Sequence, residues 1–329
     1  QSGFQARSNY GMIQAMHFLH EGCIGSVRLA RGRYYQQLRE VILDGTYPIP
    51  KHVNYDLWLG PAESEPVTRE RFHYDWRWQW QYGNGDLGDQ ALHQLDISRW
   101  GLQFDSIGEW ALACTISPLH GKGRNRLSKQ VSFHQRGDQA IVMEIGQFAR
   151  RPKRMAQSGV IFEGSDGYLV TTSYHSATAF DCEGQIVRHF RGGGGSQPHL
   201  LNFLDAVRKG SFGALNSDIE EGHLSSALAH TGNISHRLGR QQFGYQQSMS
   251  AAAEEQMTKL PQQLQLLVQD NLERNLDEWQ GSTTKADWRM GKALNCDPYR
   301  EDIGDDPLAS RLLDRAGRHP FSALVARSS

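Results

Sequence analysis

Apolar residues recur along this chain in two rhythms, and the change of rhythm divides it. Over 10–22, Ile13, Met16 and Leu19 fall at helical spacing and Gly22 closes the run, which predicts a helix. Residues 26–35 then alternate, with Val27, Leu29, Arg31, Arg33 and Tyr35 on one side, and predict a strand. A loop with Pro48 and Pro50 and a short apolar piece at 54–62 follow. Residues 75–82 (DWRWQWQY) carry the clearest period of two: Trp76, Trp78, Trp80 and Tyr82 would share one face of a strand. A helix is predicted from about Asp86 to Trp100.

From 106 to 190 the rhythm is that of strands, at 107–115, 130–135, 140–148, 159–163, 167–173, 177–181 and 186–190. Short turns such as Arg136-Gly137-Asp138 and Gly164-Ser165-Asp166-Gly167 join them, which suggests an antiparallel meander. Two helices are then expected. One covers 198–208, with Leu200, Phe203, Leu204 and Val207 on its inner face. The other covers 218–239 and opens with Ser217-x-x-Glu220, the pattern of a capping box. Beyond 245 the composition turns Gln- and Glu-rich, an amphipathic helix is expected near 259–278, and the end of the chain has little regular pattern.

Composition narrows the classes. The 329 residues are 38% hydrophobic and 22% charged, as in ordinary globular proteins, and the length suits about two domains. A formal net charge of −1 leaves no basic footprint for nucleic acid, and no apolar run approaches the roughly 18 residues a membrane span needs. Cys23, Cys114, Cys182 and Cys296 form no C-x-x-C pair and read as four reduced thiols. The opening Gln1-Ser2-Gly3-Phe4 has no basic or apolar leader. The compartment therefore stays open, cytoplasmic by default and exported if a signal lay upstream.

The chemistry concentrates in 83–96. Gly83, Gly85 and Gly88 have the G-x-G-x-x-G spacing of a dinucleotide turn, and Asp105 follows at a tolerable distance. Against that reading, the preceding strand is half polar, and Asp86 and Asp89 would repel a pyrophosphate at the helix N-terminus. The same stretch puts Asp89, His93, Asp96 and Trp100 at i, i+4, i+7 and i+11, one polar stripe. A carboxylate beside an imidazole suits proton abstraction from a hydroxyl. The residues equally allow Asp89 as a cap and His93 as a satisfied core histidine. A metal site lacks a third ligand. Trp rings at 76–80 could stack on sugar faces or simply pack a sheet against a helix.

These residues carry a resemblance. GNGDLGDQALHQLDISRWGL at 83–102 resembles the D-x-G-x-H-x-x-D region of the Gfo/Idh/MocA oxidoreductases, and YDLWLGPA at 55–62 with the Trp-rich run before GNGD resembles one bacterial subgroup. The likeness continues through GSVRLARG at 25–32, EGSDGYLV at 163–170, NFLDAVRKG at 202–210, 218–240 and RAGRHPF at 315–321. It implies an α+β domain built on a large, open, mainly antiparallel sheet flanked by helices, with no complete Rossmann domain. Residues 1–245 would form the substrate-binding and oligomerisation domain, 1–9 being a remnant of the junction with a nucleotide domain. Residues 246–329 would be a helical and irregular extension packed on it.

The implied function is the substrate-binding portion of an NAD(P)-dependent oxidoreductase of sugars, polyols or related compounds, homo-oligomeric through the sheet face and inactive alone. The family's Gly-rich turn and its catalytic Glu-Lys-Pro lysine are absent. Residue by residue, the resemblance makes His93 the acid/base histidine and Asp89 its partner. It assigns substrate contacts to Trp76, Arg77, Tyr82, Asn84 and Gln90, and cofactor contacts to Gln5 and Arg7. The subgroup would carry histidine at position 77. Competing readings are a relative that cleaves glycosides by NAD-dependent oxidation and elimination, a non-catalytic carbohydrate-binding or assembly module, and, last, a metal-dependent isomerase.

Overall fold

The computed structural model describes residues 1–35, 41, 43, 45–118, 129–146, 158–193, 195–239, 241–244, 251–279, 286–304, 306–313 and 318. The 315–321 motif lies outside them, apart from Arg318.

The first helix, α1 (Tyr10–His20), starts where Asn9 turns its side chain to accept from the Gly11 amide. It is followed by β1 (Val27–Tyr35), a short α2 (Tyr55–Leu59), α3 (Gly85–Gly88) and α4 (Ala91–Leu102). A run of strands comes next: β2 (Trp110–Pro118), β3 (Lys129–Arg136), β4 (Gln139–Gly146), β5 (Ser158–Gly164), β6 (Gly167–Thr171), β7 (Ser176–Asp181) and β8 (Ile186–Arg191). Then α5 (Gln197–Lys209) and α6 (Ile219–Leu238) lead to β9 (Gln241–Gly244), α7 (Ala251–Thr258), α8 (Gln262–Trp279), β10 (Ala286–Met290), β11 (Leu294–Asn295) and α9 (Pro307–Leu313).

Among the described residues, eleven strands make one sheet in the order β8-β7-β6-β5-β1-β4-β3-β2-β10-β9, with β11 also on β2. The expected meander is present from β5 to β8, and every strand pairing among the described residues is antiparallel except β1 with β4. Gly137, at φ +55°, turns β3 tightly into β4, a conformation an L side chain would resist. The fold is thus α+β on a mainly antiparallel sheet, as the sequence implied.

Both faces of the sheet are covered where it is widest. On one, α1, α4 and α6 bury Met12, Met16, Leu95 and Leu228 against Ala30, Met143 and Phe162. The approach of α4 to β1 is close because Gly32 has no side chain: a Cβ there would meet Met143 and Gln94. On the other face, Leu264, Val268 and Leu272 of α8, spaced i, i+4, i+8, pack on Leu112, Val131, Phe133 and Val142.

Four expectations are corrected. Residues 75–82 form no strand: Asp75–Trp78 is a 3-10 turn, and its buried members are the polar Asp75 and Gln79. They are buried because Arg71 and Arg69 bond them, which inverts the expected inside and outside. The helix expected from Asp86 is broken at Asp89 (φ −104°, ψ −88°) into α3 and α4. The cap of α6 is Asp218, whose carboxylate accepts from the Glu221 amide at 3.0 Å; Ser217 lies one residue too early. Finally, the apolar stripe of α5 faces outward, with Leu200 and Val207 each 61% exposed. Its inner side is polar, because His199 and Asn202 bond the first residues of the chain.

Candidate active site

The glycines of 83–88 shape a turn. A Cβ on Gly83 would collide with the carbonyls of Trp76 and Arg77, so the chain folds back on the 3-10 turn only there. Gly85 sits at φ +65°, and Gly88 lies against the Asn84 side chain. The four-residue α3 that these glycines bound carries Asp86 in its first turn and ends at Asp89. This is not a cradle for a dinucleotide pyrophosphate, whose charge would meet like charge.

Because the helix breaks at Asp89, Asp89 does not stand over His93 on one continuous face. Its carboxylate turns to Arg77, which donates from Nε at 3.1 Å, while Arg77 also donates to the Tyr74 carbonyl at 3.0 Å. The guanidinium lies over the rings of Tyr74 and Trp76 at 4.5 and 5.0 Å. Asp89 nevertheless acts on His93 through its charge.

His93, on the first turn of α4, is half-buried between two rings. Phe4 meets it edge-on at 5.9 Å and Tyr174, from the β6–β7 connection, lies 4.9 Å away. Burial holds its pKa below the usual histidine value, and the charge of Asp89 opposes that only in part, which favours the neutral imidazole. Gln90 donates to the Tyr174 hydroxyl at 2.5 Å. Burial raises the pKa of Tyr174 and of Tyr34, and Tyr34 also feels Tyr174, Asp86 and Asp89. This edge therefore gathers Tyr34, Trp76, Arg77, Asp89, Gln90, His93 and Tyr174. Phe4, Tyr34 and Tyr174 escaped the sequence reading, because each comes from a separate element and no local spacing links them.

Tyr82 and Asn84 are placed differently. The Tyr82 hydroxyl accepts from Arg69 at 2.8 Å and donates to Gln79 at 2.7 Å, and burial pushes its pKa up to about 12. The Asn84 carbonyl accepts from Asn233 of α6 at 2.8 Å. Both residues line a cavity on α6 together with His223 and His230.

Arg7 and Asp96 lie beneath the site. Arg7 donates from Nε to Asp96 at 2.9 Å and from Nη2 to Glu221 at 2.7 Å, and Arg99 donates to Glu221 at 2.9 Å. Ser225 gives Asp96 a further bond at 2.9 Å. Complete burial lifts the Asp96 carboxyl to about 6 against the pull of Arg7 and Ser225. Arg7 is 7% exposed and its guanidinium is taken up by these carboxylates, so it offers no phosphate anchor at the surface. Gln5 shares the short 3-10 turn Gln5–Ser8 with it.

Among the described residues no group of three His, Cys, Asp or Glu is placed to hold a metal ion, and no helix is long and apolar enough to cross a membrane. The four cysteines are unpaired.

A family model described as "Oxidoreductase family, C-terminal alpha/beta domain" matches residues 40–265. No curated protein matches the chain. Similar solved structures include an oxidoreductase from Thermotoga maritima, with 13% identity over 70% of this chain and 59% of that one and a TM-score of 0.43. Another is levoglucosan dehydrogenase in complex with NADH and levoglucosan, with 16% identity over 70% of this chain and 63% of that one and a TM-score of 0.42. The chain spans about three fifths of the length of the solved proteins it matches.

Proposed function

The chain belongs to the Gfo/Idh/MocA oxidoreductase family, and on that premise we propose that it is the substrate-facing part of an NAD(P)-linked oxidoreductase of a sugar, polyol or related polyhydroxy compound. The carrying observation is the placement of His93, held between Phe4 and Tyr174, where burial lowers its pKa and the charge of Asp89 reaches it. A neutral imidazole can take the proton of a substrate hydroxyl, and the charge of Asp89 steadies the imidazolium that results. Trp76 offers a ring to the C–H face of a sugar; Arg77, Gln90 and Tyr174 offer donors to its hydroxyls.

A dinucleotide would supply the hydride acceptor, and the two candidates among the described residues do not fit its phosphates: the glycine turn is acidic and Arg7 is committed to Asp96 and Glu221. We therefore assign its binding mainly to a domain outside these residues. The apolar stripe of α5 supports this, since α5 and the His93 edge flank the same segment at 1–8. Assembly as a homo-oligomer belongs to the same reading. The test is His93→Ala in the complete enzyme, with turnover followed as NAD(P)H formation over a panel of sugars and polyols. A fall of about 10²-fold or more in kcat is expected for loss of a general base; an unchanged rate would overturn the assignment.

A further inference from the structure

A cavity of about 550 Å³ opens on α6, within the size range of small-molecule sites. It is separate from the His93 edge. With 100° of rotation per residue, Glu221 and Ser225 of α6 face Arg99 and Asp96 of α4, whereas His223, Ala227, His230 and Ile234 fall on the opposite side and line the cavity. Its other walls come from Trp80 and Tyr82 and from the C-terminal segment at Glu301 and Leu312. His223 and Glu301 meet at 2.5 Å and tie that segment to α6. Arg237 lies over the Trp80 ring at 4.2 Å and steadies the indole.

A smaller cavity of about 160 Å³ shares Trp80 and Asn84 with the first and continues along α6 to His236 and Arg237. Meeting at Trp80 and Asn84, the two offer more room than one ring needs, and we treat them as one groove. Its lining alternates ring and aliphatic surface with uncharged hydrogen-bonding groups on Asn84, Ser226 and Thr231, and its charged members are already engaged: Glu301 by His223, Asp86 by the Trp78 indole N–H at 3.2 Å, and Arg237 by the Trp80 ring. Such a wall suits a ligand that has apolar C–H faces, many hydroxyls and no charge.

We infer that this groove is a second carbohydrate site, taking a neutral saccharide of two or more rings, distinct from the site proposed around His93. Tyr82 and Asn84 then serve this groove and not the His93 edge. The inference stands on the groove's lining and does not depend on any catalytic role of His93.

The probes are cellobiose and maltose against glucose, titrated into the chain while the indole N–H resonance of Trp80 is followed by NMR. Saturable shifts at millimolar disaccharide, with glucose at least several-fold weaker, are expected. Ala227→Trp, which fills the groove from α6, should weaken binding at least tenfold at an unchanged melting midpoint, and His93→Ala should leave it unaltered. Should Ala227→Trp not fold, Ser226→Phe narrows the same wall and is expected to act alike. The inference is overturned by the absence of a saturable Trp80 shift, by binding that survives the filled groove, or by binding that His93→Ala removes. Loss of turnover in His93→Ala without loss of this binding separates the two sites.

Discussion

Arg77 Nε donates to Asp89 Oδ2 at 3.1 Å, so the carboxylate whose charge acts on His93 is itself paired with a cation. The resemblance to the subgroup would place histidine at 77, so a permanent cation here weakens the field at the imidazole. Arg77→Gln should raise the pKa of His93, because the negative charge of Asp89 then acts uncompensated. Asp89→Asn should lower it further below the ordinary value. NMR titration of the His93 ring protons in the folded chain measures both, and a response of either variant in the opposite sense would refute the coupling.

The strands were legible because their alternation is a property of a pleated sheet, as in β1, where Leu29 and Arg31 face α8 while Ala30 and Gly32 face α4. The same rule misread 75–82, since Asp75 and Gln79 are buried by arginines outside the window. It misread α5 because the polar face of that helix, at His199, is the one with partners. His93 and Asp89 could be picked out from spacing and resemblance. Tyr174 could not, because the turn between β6 and β7 brings it to the site from 81 positions beyond His93.

Asp96 should be costly to remove. It is 1% exposed and holds Arg7, which is 7% exposed, so Asp96→Ala leaves a buried cation with only Glu221 to answer it. A loss of about 3–5 kcal/mol in urea unfolding is expected for breaking such a pair. Asp96→Asn, which keeps a partner for Ser225, should lose less. A loss below about 1 kcal/mol in Asp96→Ala would mean that the pair does not hold the floor of the site.

Arg69 is fully buried and was not singled out from the sequence. It donates to the Phe72 carbonyl and to Gln79 at 2.9 Å each, and its guanidinium lies over the rings of Phe72 and Trp58 at 4.3 and 4.5 Å. Lysine has neither the planar fork nor the flat face, so Arg69→Lys is not conservative here. It should cost about 2–4 kcal/mol, because an ammonium cannot keep the hydrogen bonds to Phe72, Gln79 and Tyr82 together with the ring contacts. Near-UV circular dichroism should lose aromatic intensity, since Trp58, Phe72 and Tyr82 surround the group. An unchanged aromatic spectrum would sink this account.

His134 should make the fold acid-sensitive. It is fully buried on β3, its Nε2 lies 3.1 Å from the Ser132 hydroxyl, and Nδ1 has no partner among the described residues. Burial pushes its pKa down to about 3. In the unfolded chain the same group takes up its proton near pH 6.5, so between those values the unfolded state binds more protons and stability falls as pH falls. The stability is fully present above pH 6.5 and drains away toward pH 3. By pH 5 the loss amounts to about 2 kcal/mol. Asp96 works in the other sense, since its raised pKa favours the fold below the ordinary carboxylate range and withdraws that support as pH rises through about 6. The His134 effect is therefore read as a difference: urea unfolding of the wild type and of His134→Gln, each from pH 7.5 to pH 4.5. The gap between them should shift by about 2 kcal/mol in favour of the variant between pH 7.5 and pH 5. A gap that stays constant with pH would show that His134 does not remain neutral in the folded protein.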